Sequence, residues 1–321
     1  MITMLTKSKE AIKANNCLCK MSGVADGNLI KKVLYTDGKG SEYFDTYDIE
    51  QENLYEGDEY YIRLTGCGFA DDNSIESILS KIADTPYTLK QISDIKQGIV
   101  SGADKYADAH QAKYGLNLPK GKGIFVLHKG EYDDLNLPDN EKKYVKKVYK
   151  NSQISPYHIN YNDKLVVLYM TKNVSELDAP HIIEYLEQFK PILASKREAI
   201  EGKMPWYSLN WARDREIFET DEKIVNSRRA KANIFALETQ KYYEQSDVMI
   251  TVIKKAFIKK CPTRYALALL NSKLLYVWLK NKGKLKGDLL ELYGKPLEEI
   301  PIKLTTIDNI LKIGQLVEEE L

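Results

Sequence analysis

The stretch PTRYALALLNSKLLYVWLKNKG, residues 262–283, constrains the fold more than any other part of the chain. Pro262 suits a first helical turn, Gly283 suits a stop, and apolar residues recur at helical spacing between them, so a long helix is expected. Shorter runs precede it. KLVVLYM has the continuous apolar character of a buried strand, and KIVNSRRAKANIFAL and MITVIKKAFI read as further strands. PHIIEYLEQFKPILASKREAI, residues 180–200, reads as a helix interrupted or restarted at Pro191. Residues 306–321 close the chain as an amphipathic helix, with Ile307, Ile310, Leu311 and Ile313 near one face. These elements predict an α+β fold: a twisted mixed β-sheet, helices packed beside it and a C-terminal helix.

The N-terminal part has a different texture. Residues 28–65 alternate in short runs, and NLIKKVLYTDGKGSEYFDTYDI reads as a hairpin turning at Asp37-Gly38-Lys39-Gly40. NSIESILSKIAD follows with Ile75, Ile78, Leu79 and Ile82 at helical spacing and Asn73 or Ser74 as N-cap. The expected division is a β-rich lobe over residues 1–84 and a second domain over 85–321. In the second domain, EKKYVKKVYKNSQISPYHI suggests a helix with Tyr144, Val145, Val148 and Tyr149 on one face. Lys142, Lys143, Lys146, Lys147 and Lys150 would then form a solvated outer face.

DIKQGIVSGADKY, residues 94–106, begins like a strand and ends like a loop. Glycine at 98 and 102 fits either a close backbone approach or a positive φ, so a ligand-touching loop and a plain β-bulge both remain open.

Composition excludes several classes. At 43% hydrophobic and 29% charged, the chain can bury a core. No run approaches the roughly 20 apolar residues of a membrane span, and the polar N-terminus lacks a signal-like centre, so a soluble cytoplasmic protein is expected. With four cysteines, of which Cys17 and Cys19 are the one close pair, and four histidines without ligand spacing, no metal centre is expected. Net charge is +1, but residues 1–85 hold nine Lys+Arg against fifteen Asp+Glu, which leaves the remainder basic. A polyanion would dock there.

Catalytic motifs fail one by one. There is no phosphate-binding G-x-x-x-x-G-K-[ST], no G-x-S-x-G nucleophile elbow and no glycine-rich turn between strand and helix for a dinucleotide. A metal-dependent nuclease would need Asp133 or Asp134 with Glu141-Lys142-Lys143, whose helical spacing suits a strand edge badly. The chain reads as non-catalytic. Binding chemistry is better represented: WYSLNWARDREIF interleaves tryptophans with Arg213 and Arg215, and KIVNSRRAKANI adds Lys223, Arg228, Arg229 and Lys231. Arginine grips phosphate or guanine and aromatic faces stack on bases. Core tryptophans and arginines paired with Glu216, Glu219 and Glu222 are the bland alternative.

Several segments, in order, resemble a known family. ISDIKQGIVSGADKY, VYKNSQISPYHI, LVVLYM, YLEQFKPILASKR, WYSLNWARDREIFETDEKIV, YALALLNSKLLYVWLKNKGKLKGD and LYGKPLEEIPI are similar to the TaqI-like C-terminal specificity domain of N6-adenine DNA methyltransferases in type II restriction–modification systems. The likeness covers roughly residues 85–303, and its last segments also resemble specificity subunits. It implies sequence-specific recognition of double-stranded DNA, with a methyltransferase catalytic domain or subunit as partner. The [N/D]-P-P-[Y/F/W] tetrapeptide and the S-adenosylmethionine loop of such enzymes do not occur in this sequence, so no cofactor is expected in this chain. S-adenosylmethionine would bind the catalytic domain, and residues 1–84 would be its junction. Carried over, the likeness makes Gln97, Ser101, Gly102, Lys105, Arg213, Arg215, Arg228, Lys284 and Lys286 candidates for DNA contact, and Asn271-Ser272-Lys273 a packing or capping element. A protein–protein assembly scaffold is the alternative from another class.

Overall fold

The computed structural model describes residues 15–21, 27–28, 31, 44–50, 55–56, 61–62 and 75–321. The chain divides into two compact units, Met1–Asp84 and Thr85–Leu321. In the first, β1 (Asn15–Met21) pairs antiparallel with β2 (Phe44–Glu50), Asn15 opposite Glu50 and Met21 opposite Phe44. Strand β1 lies upstream of the expected hairpin. The turn at residues 37–40, Cys67 and the candidate caps Asn73 and Ser74 lie outside the described residues. β3 (Tyr55–Glu56) and β4 (Tyr61–Ile62) form a short antiparallel pair, and the helix Ile75–Ala83 buries Leu79 and Ile82.

The second unit opens with β5 (Tyr87–Thr88) and β6 (Ser93–Gln97). A three-stranded antiparallel sheet follows: β7 (Val126–His128), β8 (Val145–Val148) and β9 (Leu165–Leu168), with β9 in the middle. All four residues of β9 are buried, as a continuous β-branched and leucine run requires when both faces are covered. The expected helix over 144–149 is corrected here. YVKKVY satisfies helical and strand patterns alike over so short a span, and the ladder with β9, Val145 opposite Leu168 and Val148 opposite Leu165, decides for strand.

The central sheet is built next. β10 (Lys223–Ser227) is followed by the short β11 (Arg229–Ala230), then β12 (Phe235–Glu238) and β13 (Val248–Ile253). The sheet order is β12-β10-β13-β6, antiparallel throughout, and Gln97 at the end of β6 sits opposite Met249. β14 (Leu285–Lys286) and β15 (Leu289–Glu291) join β11 in a small sheet, and β16 (Pro301–Ile302) pairs back to β5. The α+β expectation holds. The named ladders are antiparallel, and parallel neighbours occur as single bridges, Ile99 with Gln245, Val148 with Tyr243 and Tyr157 with Ala236.

The long helix expected over 262–283 is two helices, Thr263–Leu270 and Lys273–Lys282. The leucine pattern runs on, but Asn271 is taken out of it. Its Oδ1 accepts from Phe235 N at 2.9 Å and its Nδ2 donates to Phe235 O at 2.9 Å, stitching the break to β12. Ser272 then caps the second helix through Leu275 N at 3.2 Å. The segment 180–200 breaks into Pro180–Glu187, Lys190–Leu193 and Arg197–Ile200, the middle helix starting with Pro191 in its first turn. The terminal helix spans Ile307–Glu320 and buries Ile310 and Val317.

Lys223, grouped above with the DNA-contacting cations, lies wholly inside. Its ammonium sits 2.9 Å from Glu238 Oε2 and 3.3 Å from Glu244 Oε1, with all three side chains at 0% exposure. Glu141 is also fully buried, and its carboxylate accepts from His181 N at 3.2 Å and Ile182 N at 3.0 Å. It thereby closes the N-terminus of the helix Pro180–Glu187, a structural duty that uses the carboxylate the nuclease alternative would need.

Candidate nucleic-acid interface

The two glycines of the 94–106 segment do different jobs. At Gly98 a Cβ would stand 2.3 Å from Gln245 O and 2.5 Å from Glu244 O, so the residue permits two backbones to touch. Gly98 N donates to Val248 O at 3.0 Å and Ile99 N to Glu244 O at 2.7 Å. At Gly102 the φ is +86°, and the amide of Asn210 covers the Cβ position. Both glycines are spent on the protein's own chain, which leaves no nucleotide cradle there.

The loop lies against a second segment. Val100 N donates to Trp211 O at 3.0 Å and Trp211 N to Val100 O at 2.9 Å. Arg213, with φ +66°, turns back so that Nε donates to Gly98 O and Nη2 to Gln97 Oε1, both at 3.3 Å, its guanidinium 5.4 Å from the Trp211 ring centre. Trp211 remains 55% exposed. Gln97 and Arg213 are thus brought together, with Ser101 and Gly102 on the adjoining loop. Ser101 is buried and donates to Asp104 Oδ1 at 2.5 Å, and Lys105 meets His128 Nε2 at 2.8 Å.

Beside this ribbon opens a groove of about 930 Å³. Its walls carry Lys96, Lys143, Lys146, Lys172, Lys203, Arg213 and Arg215 against Glu198, Asp214 and Glu216, with Trp211, Tyr144 and Tyr169 among the aromatic lining. The cations crowd one another: burial first and then Arg215 lower the Lys146 ammonium below lysine's ordinary value, against the pull of Glu219. Arg215 is partly neutralised by Glu219, Nε to Oε1 at 2.6 Å. Excess positive charge in a concave wall with stacking faces suits a phosphodiester chain.

Arg228, Lys284 and Lys286 belong to a different place, the small sheet of β11, β14 and β15. Glu291 there takes Arg229 Nε at 3.2 Å and Lys284 Nζ at 3.0 Å, and the hydrogen bond from Lys284 leads the interactions that hold its carboxyl down at about 2. Lys286 is exposed and makes no ion pair among the described residues. Arg228 stacks 4.3 Å above the Tyr293 ring centre. The bend 244–248 links both places: it receives Gly98 and Ile99 on one side, and Asp247 O accepts from Arg228 N at 2.9 Å on the other.

Residues 146–302 match the family model of the TaqI-like C-terminal specificity domain. The resemblance read from the sequence is borne out over that span. The matched span runs from Lys146 in β8 to Ile302 in β16 and includes Arg213, Arg215, Arg228 and the Lys284–Lys286 turn, while the 94–106 loop lies ahead of it. Over half of this chain, the Type II methyltransferase M.HincII of Haemophilus influenzae is 27% identical, the match covering 30% of that protein. The Type II methyltransferase M.HindII of Haemophilus influenzae (strain ATCC 51907 / DSM 11121 / KW20 / Rd) is 24% identical over 93% of this chain and 59% of its own length. The chain thus spans less than two thirds of either relative. A solved structure of the type IIL restriction-modification enzyme MmeI in complex with DNA aligns over 85% of this chain and 31% of its own, at 9% identity and TM-score 0.49.

Sequence reasoning missed Lys96, Lys172, Lys203 and Asn210, and it assigned Lys143 and Lys146 to a solvated face. They come from separate segments, so no local pattern announces them. The one available signal was the basic balance after residue 85. Among the described residues no helix is long and apolar enough to cross a membrane.

Proposed function

We propose that residues 85–321 recognise a defined sequence in double-stranded DNA on behalf of an adenine-specific type II methyltransferase. The groove of seven cations beside an exposed tryptophan, set in and next to the specificity domain, carries this reading. Lysines on phosphates fix register, and side chains of the adjoining loop and bend reach base edges in the major groove. The methyltransferase partner extrudes the target adenine, binds S-adenosylmethionine and performs the chemistry. In this chain Lys105, Arg213, Arg215, Arg228, Lys284 and Lys286 are the proposed contacts. Gln97, Ser101 and Gly102 shape and hold the loop beside them.

The test is a duplex titration at several salt concentrations, alone and with the methyltransferase. Binding whose logarithm falls linearly with that of salt is expected. Failure to bind any duplex in either condition rejects the reading. Calorimetry with S-adenosylmethionine is expected to show no heat for this chain.

One observation favours assembly as a second reading. On the helix Ile307–Glu320, Ile307 and Leu311 are each 57% exposed and Leu316 is 53% exposed. Sedimentation that shows a tight oligomer, combined with no DNA binding, would support it.

A further inference from the structure

At and beside the bend 245–247 stand two side chains, Asp247 and Arg228, that make no hydrogen bond to another residue among the described residues. Arg228 is half-buried, and its guanidinium makes no hydrogen bond or ion pair among the described residues, whereas those of Arg213, Arg215 and Arg229 all do. Its plane is fixed instead by the Tyr293 ring at 4.3 Å. Next to it, Asp247 is half-buried with Oδ1 shut from solvent and unpartnered. Burial leads the forces raising the Asp247 carboxyl, a hydrogen bond from its own main-chain N–H works against it, and Asp104 adds to the rise while Arg228 opposes it, which places all three groups within electrostatic reach. Arg228 and Asp247 are joined through the main chain, Arg228 N to Asp247 O, yet their side chains form no ion pair.

A carboxylate on a DNA-facing surface repels phosphate, so a backbone contact does not account for Asp247. It can only accept. In the major groove the donors are the N4 amino group of cytosine and the N6 amino group of adenine, and a guanidinium fork fits the paired acceptors O6 and N7 of guanine. An arginine fork beside an unpaired carboxylate therefore mirrors one G·C pair, whose edge shows two acceptors and then a donor.

We infer that Arg228 and Asp247 together read a single G·C base pair, Arg228 donating to guanine O6 and N7 and Asp247 accepting from cytosine N4 through Oδ2, the enclosed Oδ1 facing inward. This rests on the DNA-recognition reading above. Gln97, whose Nε2 holds Ser246 O at 2.6 Å, keeps the bend in place and is a positioning residue.

A randomised duplex library selected on the full chain and sequenced tests it, with Arg228→Lys and Asp247→Asn as variants. Both substitutions preserve size and backbone, and Lys retains the charge for phosphate contact. The wild-type chain is expected to enrich a motif containing a G·C column, and each variant to relax that same column by about fivefold or more, leaving the other columns intact. Relaxation of different columns, of an A·T column or of none overturns the pair while leaving recognition standing. A wild-type chain that enriches no motif overturns the recognition reading and this inference with it.

Discussion

Lys223 and Glu238 meet at 2.9 Å with neither side chain reaching solvent. The ammonium also donates to Phe218 O at 2.6 Å and Tyr242 O at 2.9 Å, so it satisfies two carbonyls and faces two carboxylates at once. Lys223→Met strands all four partners inside the central sheet. The expected loss is about 3–5 kcal/mol of stability, measured by urea or thermal unfolding.

The same cluster makes stability depend on pH. Burial outweighs the attraction of Lys223 and pushes the Glu244 carboxyl from 4.5 up to about 8. The folded state keeps a proton that the unfolded chain releases between those values. This contribution is fully present below the unfolded value and is lost as pH rises through the folded one. Glu244→Gln, which can still accept from Tyr149, is expected to flatten the stability slope across that window.

Gly98→Ala places a methyl group against two carbonyls. A loss of about 1–3 kcal/mol is expected, together with weaker DNA binding because the loop and the 245–247 bend move apart. Gly130→Ala, inside the helix Lys129–Asp134 where nothing lies within 4 Å of the new Cβ, is the control: it leaves binding unchanged and stability equal or up to about 1 kcal/mol higher.

Lys143 and Lys172 are exposed groove residues without ion pairs among the described residues. Replacing both by alanine is expected to weaken binding about equally for all duplexes. The slope of log affinity against log salt should fall in magnitude by about 2. A change of preference between duplexes would show that they touch bases.

Glu141→Ala removes the acceptor for two helix N–H groups and for the His181 ring. A stability loss of about 1–3 kcal/mol is expected. Binding by the folded fraction should be unaffected, and a magnesium-dependent cleavage activity that vanished in this variant would revive the nuclease alternative.

How much of this was legible in the residues depends on how far each feature reaches along the chain. KLVVLYM declares a buried strand because four consecutive enclosed residues need no distant partner to be recognised. Gly98 and Gly102 marked a special loop, but only the fold separates a backbone contact at one from a positive φ at the other. The Asn271–Ser272 break was hidden because leucines continue through it, and the deciding hydrogen bonds go to Phe235, far along the chain. YVKKVY misled for a related reason: with six residues, pairing to β9 outweighs periodicity. The groove was the least visible feature. Its cations converge from positions as distant as Lys96 and Arg215, and charge balance registers only their sum.

The bend 245–247 is fastened by main-chain atoms: Gln245 O to Val248 N, Ser246 O to the Gln97 amide, Asp247 O to Arg228 N. Among the described residues its three side chains make no ion pair and no hydrogen bond to another residue. On the proposed DNA-recognition reading, natural variation can therefore exchange those side chains one at a time, as keys are recut on an unchanged blank, and give a new address to the same fold and the same cationic wall.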